Sequence, residues 1–550
     1  MMTAALLICA ASFAQPRRWP ENTPVNYAPM PLPYLKDKPA VINIDCGRQL
    51  FVDDYLVENC NMERVAHQPQ KAGINPTMKP ETQTEMGTCG IPGAGCKDGG
   101  IWWDPQDKIF KMWYEAGYLH YMAYATSKDG RHWDRPDLDI VPGTNIVIDD
   151  ILSDSSTAWI DMFTDNPEQR YKMFLRAPNS IAGSKERVTT GWCMASADGI
   201  HWDIRYKTGE CGDRSTAFYN PFRQKWVYSI RITGKDKNMN LGRSRAYLES
   251  ADFLKGAKWR TKDIRFWCGA DSLDVPYPEI GDKPQLYNLS AVAYESIMIA
   301  LPQIHYGPDN RVCLKTGMPK ITELKVAYSR DGYHWDRTDR ETFIKAERTD
   351  GAWDWGYIQS VGGLFNIVGD QLWFNYIGYA GNPSLNQGDI RHSGMHYNGS
   401  MGIAVLRRDG FVSRRASDTE CSLTTVPVEY SGKYLFVNTD CPDGELRVEV
   451  IGQDGQVIPG YSAAECIPIR KDKTMINVRW KGHKSLEGIE GPVKFRFIMT
   501  DGDLYAFWVS PEESGASYGY NAACGPGFTT GIDTEGKKAY NKARKYMIKL

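Results

Sequence analysis

The chain repeats one phrase. Residues 125–136 read ATSKDGRHWDRP, residues 195–204 ASADGIHWDI and residues 327–338 AYSRDGYHWDRT. Asp-Gly between apolar runs is a strong hairpin signal, because Gly takes positive φ cheaply and Asp hydrogen-bonds its own backbone. The Trp three residues past each Gly is expected to begin the returning strand and cover the turn. Weaker copies stand at 249–259 (ESADFLKGAKW) and 404–414 (AVLRRDGFVSR, without the Trp). Five copies at broadly regular intervals require five similar supersecondary units, the signature of a propeller or array and not of one continuous core.

A second repeat precedes each copy. The stretches at 98–114, 154–174, 213–230, 288–304 and 359–377 each begin small or polar and enter a short apolar strand. A turn residue follows (Asp104, Asp161, Asn220, Glu295, Asn366), then an aromatic-rich strand. With the Asp-Gly hairpin behind it, each unit supplies four strands. The expected fold is all-β: a five-bladed β-propeller over 98–417, followed by a C-terminal β-sandwich over 418–515. The sandwich is read from short alternating strands such as GELRVEVIGQDGQVI and GPVKFRFIMTDGDLYAFWVS, which lack the blade motif.

At 550 residues two or more domains are expected. Lys plus Arg (65) balances Asp plus Glu (67), leaving net −2 and no basic field for nucleic acid. No stretch after the N-terminus reaches the ~18 apolar residues of a membrane span. The start, MMTAALLICAASFAQ, reads as a signal peptide over 1–15, which implies a secreted or periplasmic protein. A Pro-rich leader and a lead-in segment fill 16–97 and should pack on the propeller; 516–550 is a Gly-rich, then basic tail with no assigned role. Of the 13 cysteines, 12 follow the signal peptide, an even number compatible with disulfides. Cys89 and Cys96, flanking a Gly/Pro loop, are the best local pair. No CxxC or Cys/His cluster supports a metal site.

RQLFVDDYLVE, KMWY, the SxDGxHW repeat and the sandwich pattern resemble exported glycoside-hydrolase-like proteins, distant relatives of the invertase/fructanase and arabinanase/xylosidase families. That resemblance covers about 41–510. It implies a propeller funnel holding three carboxylates: a base or nucleophile on blade one, a sugar-holding, pKa-tuning Asp on blade two and an acid near blade three. The counterparts are Asp98, Asp154 and Asp213, which open the first strands of consecutive blades. Glu210 (in GECGD) and Glu279 (in VPYPEIGD) are rival acids. Asp98 stands one residue out of register with the other two, and the Asn-Asp-Pro-Asn and Arg-Asp-Pro motifs of invertases are missing. Three carboxylates meeting at an axis would push one pKa upward and make a general acid available.

Simpler roles compete. Strand-opening Asp residues often just cap backbone amides, and His132, His201 and His334 recur with their Asp partners, as structural residues do. His392 stands outside the repeat and is a candidate sugar contact or neighbour of an axial ion. Asn75, before blade one, is a candidate funnel residue; Trp102, Trp103 and Trp113 read first as blade core, with Trp103 also carried as a sugar contact. The leading function is cleavage of a terminal sugar from a plant or algal poly- or oligosaccharide by two carboxyl groups. The alternative is a carbohydrate-binding propeller without turnover. No cofactor is expected, apart from a structural calcium that a propeller axis can hold, and no nucleic-acid or membrane partner.

Overall fold

The computed structural model describes residues 23–87, 90–177, 190–386, 388–390 and 392–550. The signal-peptide reading therefore lies outside the described residues, as does Cys89. The fold is all-β. Five strands open successive sheets: Ala94–Asp104, Ser155–Ile160, Thr216–Asn220, Gln285–Glu295 and Gly356–Val368. Below they are opening strands one to five. Each starts an antiparallel meander, and sheets two and three have four strands apiece. In sheet four, both Ile321–Leu324 and Ala327–Ser329 pair with Ile297–Gly307. The outermost strand of sheet five, Gln70–Lys71, comes from the lead-in segment.

The opening strands touch in sequence order, and the fifth returns to the first, where Val361 pairs in parallel with Asp98. Strands one, four and five are buried along nearly their whole length. Covered on both faces, they show no apolar/polar alternation, and their few polar residues, such as Lys97, Asp98, Asn288 and Gln359, are buried with them.

The repeated phrase joins sheets. In all three copies the Asp carboxylate accepts two backbone N–H bonds and lies 2.7–2.8 Å from Nδ1 of the His three residues on. The preceding Ser hydroxyl accepts from the Gly amide. Each Gly has φ between +74° and +82°. At Gly199 an added Cβ would stand 2.7 Å from Trp113 of the previous sheet, and at Gly130 3.2 Å from Trp373. The turn is thus a knuckle pressed on its neighbour, and only Gly fits. Trp202 and Trp335 are buried, whereas Trp133 is half-buried. The weaker copy at 249–259 keeps the capping device: Asp252 accepts from Leu254 and Lys255 amides and starts a short helix, Phe253–Gly256. The fifth copy differs, since its Asp409 is buried in an ionic cluster.

Two further antiparallel sheets enclose a second hydrophobic core around Phe51, Leu423, Val437, Phe495, Phe497 and Phe507. They recruit Gln49–Leu50, Val57–Cys60 and Glu63–Ala66 as well as C-terminal strands. The lead-in segment is therefore woven through both bodies and does not simply rest on the first. Val412–Ala416, expected inside blade five, hydrogen-bonds in these sheets instead. The tail also folds back: Tyr520–Asn521 adds an edge to opening strand four, and Ile548 exchanges bonds with Gln371.

The disulfide framework expected of an exported chain is not found among the described residues. Cys96 is a free thiol, and most of the described cysteines are buried. No helix among the described residues is long and apolar enough to cross a membrane.

Candidate functional site

The ends of the opening strands surround a cavity of about 390 Å³. Its charged lining is Lys97, Arg214, Arg231, Arg243 and Lys320 against Asp154 and Asp213, with Tyr118, Tyr287, Tyr357 and His396 between them. The backbone beneath is strained: Lys97, Asp98, Arg214 and Tyr357 all have positive φ, at about 1–3 kcal/mol each. The pairing of opening strand one slips between Gly95 and Gly100, so a bulge carries Lys97 and Asp98. That bulge explains why Asp98 is out of register in the sequence.

Asp154 and Asp213 reach the cavity, 19% and 23% exposed. Asp154 accepts from Lys97 Nζ at 3.0 Å and from Arg176. Asp213 accepts from Arg231 and, at 2.6 Å, from the Tyr287 hydroxyl. Burial opposes ionisation of Asp213, but Arg231, the Tyr287 bond, Arg176 and Lys320 outweigh it and hold the carboxyl well below its usual range. Asp98 lies one layer deeper. Its Oδ1 accepts from Arg214 and Asn288, both at 2.8 Å, and Oδ2 is buried without a partner. Burial lifts Asp98 to about 6 against the pull of Arg214, Arg245 and Lys97.

The other candidates are elsewhere. Glu210 is exposed at the end of Ile204–Glu210, the outer edge of sheet two, on the side away from its opening strand. Glu279 is 51% exposed and pairs with Arg348 at 2.7 Å. Trp103 is 4% exposed and packs edge-on against Phe110 in the core, so it offers no face to a sugar. Asn75 is stitched to the Ile403 backbone through both its amide oxygen and nitrogen. His392 is half exposed beside Asp389 and does not line the cavity, although nearby Ile390 does.

Sequence reasoning missed Glu115, Lys320, Arg231 and Arg243. Glu115, in the second strand of sheet one, is buried 3.5 Å from Lys97 Nζ and accepts from the Leu119 amide. Burial lifts it to about 7, with Lys97 opposing and Asp154 adding to the rise. A Glu inside the aromatic strand KMWYEA was the available signal, because a charged residue in a buried strand is rare unless paired. Lys320 is 2% exposed. Burial and nearby Arg243 bring it down to about 8, against the pull of Asp213. Among the described residues no cluster of three or more His, Cys, Asp or Glu is placed to hold a metal ion.

Solved structures similar to the chain include glycoside hydrolases. They include a fructofuranosidase from Schwanniomyces occidentalis complexed with fructosylnystose (11% identity, TM-score 0.34, 80% of this chain and 98% of that one). Another is a family 43 arabinoxylan arabinofuranohydrolase from Bacillus subtilis (8%, 0.34, 79% and 99%). An N-acetylgalactosamine deacetylase from F. plautii in complex with blood group B trisaccharide is also similar (14%, 0.39, 64% and 96%). No protein-family profile and no curated protein matches. With every TM-score below 0.5, these likenesses assign neither substrate nor catalytic residue.

Proposed function

We propose that this chain is an exported glycoside hydrolase that removes a terminal sugar from a plant or algal poly- or oligosaccharide. In this reading the five meanders are the blades of a five-bladed propeller, the second body is a β-sandwich, and the sugar sits in the cavity at the axis. The observation that carries the reading is the splitting of carboxyl environments. Asp213 is held ionised, while burial pushes Asp98 to about 6 and Glu115 to about 7. Carboxyl groups driven apart in this way mark acid and base roles. Asp154, on the cavity wall, is the nucleophile or base, and Glu115, behind Lys97 in a small adjoining pocket that shares Tyr118 and His396 with the cavity, is the proton donor. Lys97 touches both, so their nearest oxygens are separated by at most its 3.0 and 3.5 Å contacts laid end to end.

A second reading, binding without turnover, draws on a different observation. Both cavity carboxylates are already ion-paired, and Oε2 of Glu115 is buried without a hydrogen bond. Release of reducing sugar from a polysaccharide panel tests the two. Asp154→Asn should lower turnover about 10²–10⁴-fold. Glu115→Gln should spare only substrates with an activated leaving group. Binding of a sugar by the wild type with no release from any substrate would replace hydrolysis with the second reading.

A further inference from the structure

The net charge of the chain is −2, yet five cations and only two carboxylates line the cavity. Asp154 is used by Lys97 and Arg176, and Asp213 by Arg231 and Tyr287. Arg243 and Lys320 remain, with no ion pair among the described residues. Both rest on the Tyr287 ring, at 4.9 and 5.4 Å from its centroid, and Lys320 lies 4.8 Å from that of Tyr357. The Gln285 side chain accepts from Arg243 at 3.1 Å and fixes its guanidinium. Lys320 is almost wholly buried, so its ammonium has lost most of its water and gained no protein acceptor in return. Arg214, with no exposed surface, gives one nitrogen to Asp98, while its Nε and Nη1 have no hydrogen-bond partner. Arg243 and Lys320 thus bring two cations without a carboxylate partner to one polar space, held in place by aromatic faces, with Arg214 buried beneath them.

We propose that the sugar taken by this cavity is acidic, its carboxylate or sulfate ester seated against Lys320 and Arg243. This rests on the carbohydrate reading above and deepens it. A ring-borne anion would supply the acceptors that these groups lack, and a planar guanidinium can grip two of its oxygens at once. Burial and then Arg243 lower the pKa of Lys320, which agrees with the geometry, since a desolvated ammonium beside another cation gains from an anion.

Calorimetric titration of the full chain with three trisaccharides tests the proposal: galacturonate, sulfated galactose and neutral galactose. At least one acidic trisaccharide should bind ten-fold or more tightly than the neutral one, and which of the two does so separates carboxylate from sulfate. That advantage should shrink as salt rises and should fall at least ten-fold in Lys320→Met and in Arg243→Gln. Arg243 is only half-buried, so its variant keeps the test valid if Lys320→Met fails to fold. Equal affinity for all three sugars, or an acidic preference untouched by Arg243→Gln and by salt, overturns the proposal and leaves the carbohydrate reading standing. Binding of none of the three, together with neither binding nor release of sugar across the polysaccharide panel, overturns the carbohydrate reading on which it rests.

Discussion

Between the two bodies lies a sealed ionic cluster whose charge count makes an unequal prediction. Arg48 of RQLFVDD and Arg408 face Glu295, Asp409 and Asp533, all without solvent exposure. Arg48 donates to Asp409 at 2.8 Å and to the Thr474 carbonyl at 2.9 Å, and lies 4.2 Å over the Trp508 ring. Glu295 accepts from the Arg48 amide, the Ser517 hydroxyl and Arg408. Two guanidinium groups meet three carboxyl groups, so one carboxyl is surplus. Burial raises Glu295 despite Arg48 and Arg408, whereas those same cations outweigh burial at Asp409 and lower it. Of these two carboxyls, Glu295 is the one biased toward its protonated form. Arg48→Met leaves one cation among the acids and should cost about 3–5 kcal/mol, the usual result of breaking a buried pair. Glu295→Gln keeps the shape and an acceptor oxygen while removing the surplus charge, and should cost no more than about 1 kcal/mol.

The pH dependence follows with a definite sign. The folded pKa of Glu295 lies above its unfolded value of roughly 4.3. Its contribution to stability is full below that unfolded value and is lost as pH rises through the folded one. Urea unfolding followed by tryptophan fluorescence should show Glu295→Gln matching the wild type best near neutrality. It should fall behind as pH drops toward 4. If Glu295→Gln shifts the midpoint as far as Arg48→Met at pH 7, the charge count is wrong and Glu295 is a required anion.

Further outcomes can be measured. Because Glu115 is pushed to about 7 and must be protonated to donate, kcat should decline as pH rises through about 7; the decline should vanish in Glu115→Gln on an activated substrate, and a rate that is flat to pH 9 on the natural linkage would exclude Glu115 as donor. Asp198→Ala removes acceptors from two backbone amides and should cost about 1 kcal/mol, like the loss of a helix cap, with no effect on kcat; a loss of activity in the folded variant would show that the repeated turns do more than join sheets. Gly199→Ala places a Cβ against Trp113 at φ +82°, and the left-handed backbone alone should cost about 1–2 kcal/mol in thermal unfolding.

What the sequence reveals and conceals follows contact range. The Ser-x-Asp-Gly-x-His-Trp turn is legible because its bonds join residues at most three apart, from Ser196 to Gly199 and from Asp198 to His201. Opening strands are legible because burial on both faces leaves them without apolar/polar alternation. The cavity is different. Arg231 comes from the second strand of sheet three, Arg243 from its third strand, and Lys320 from just before an outer strand of sheet four. Only the closed cycle of opening strands brings them together, and that closure leaves no local mark. The same holds where Ile42 pairs with Val428 and Cys60 with Leu423, which hid the weaving of the lead-in segment into the second body. Equivalence between units also has a limit. Asp154 and Asp213 were found because they hold corresponding places in successive repeats, whereas Asp98 sits on a bulge and ends below the cavity with Arg214 above it. Repetition locates the ring and its axis, but the groups that distinguish one ligand from another are those that break the repeat. Lys320 and Arg243 lie outside the repeated stretches, so the cavity's preference, unlike its position, is written in the assembled charges.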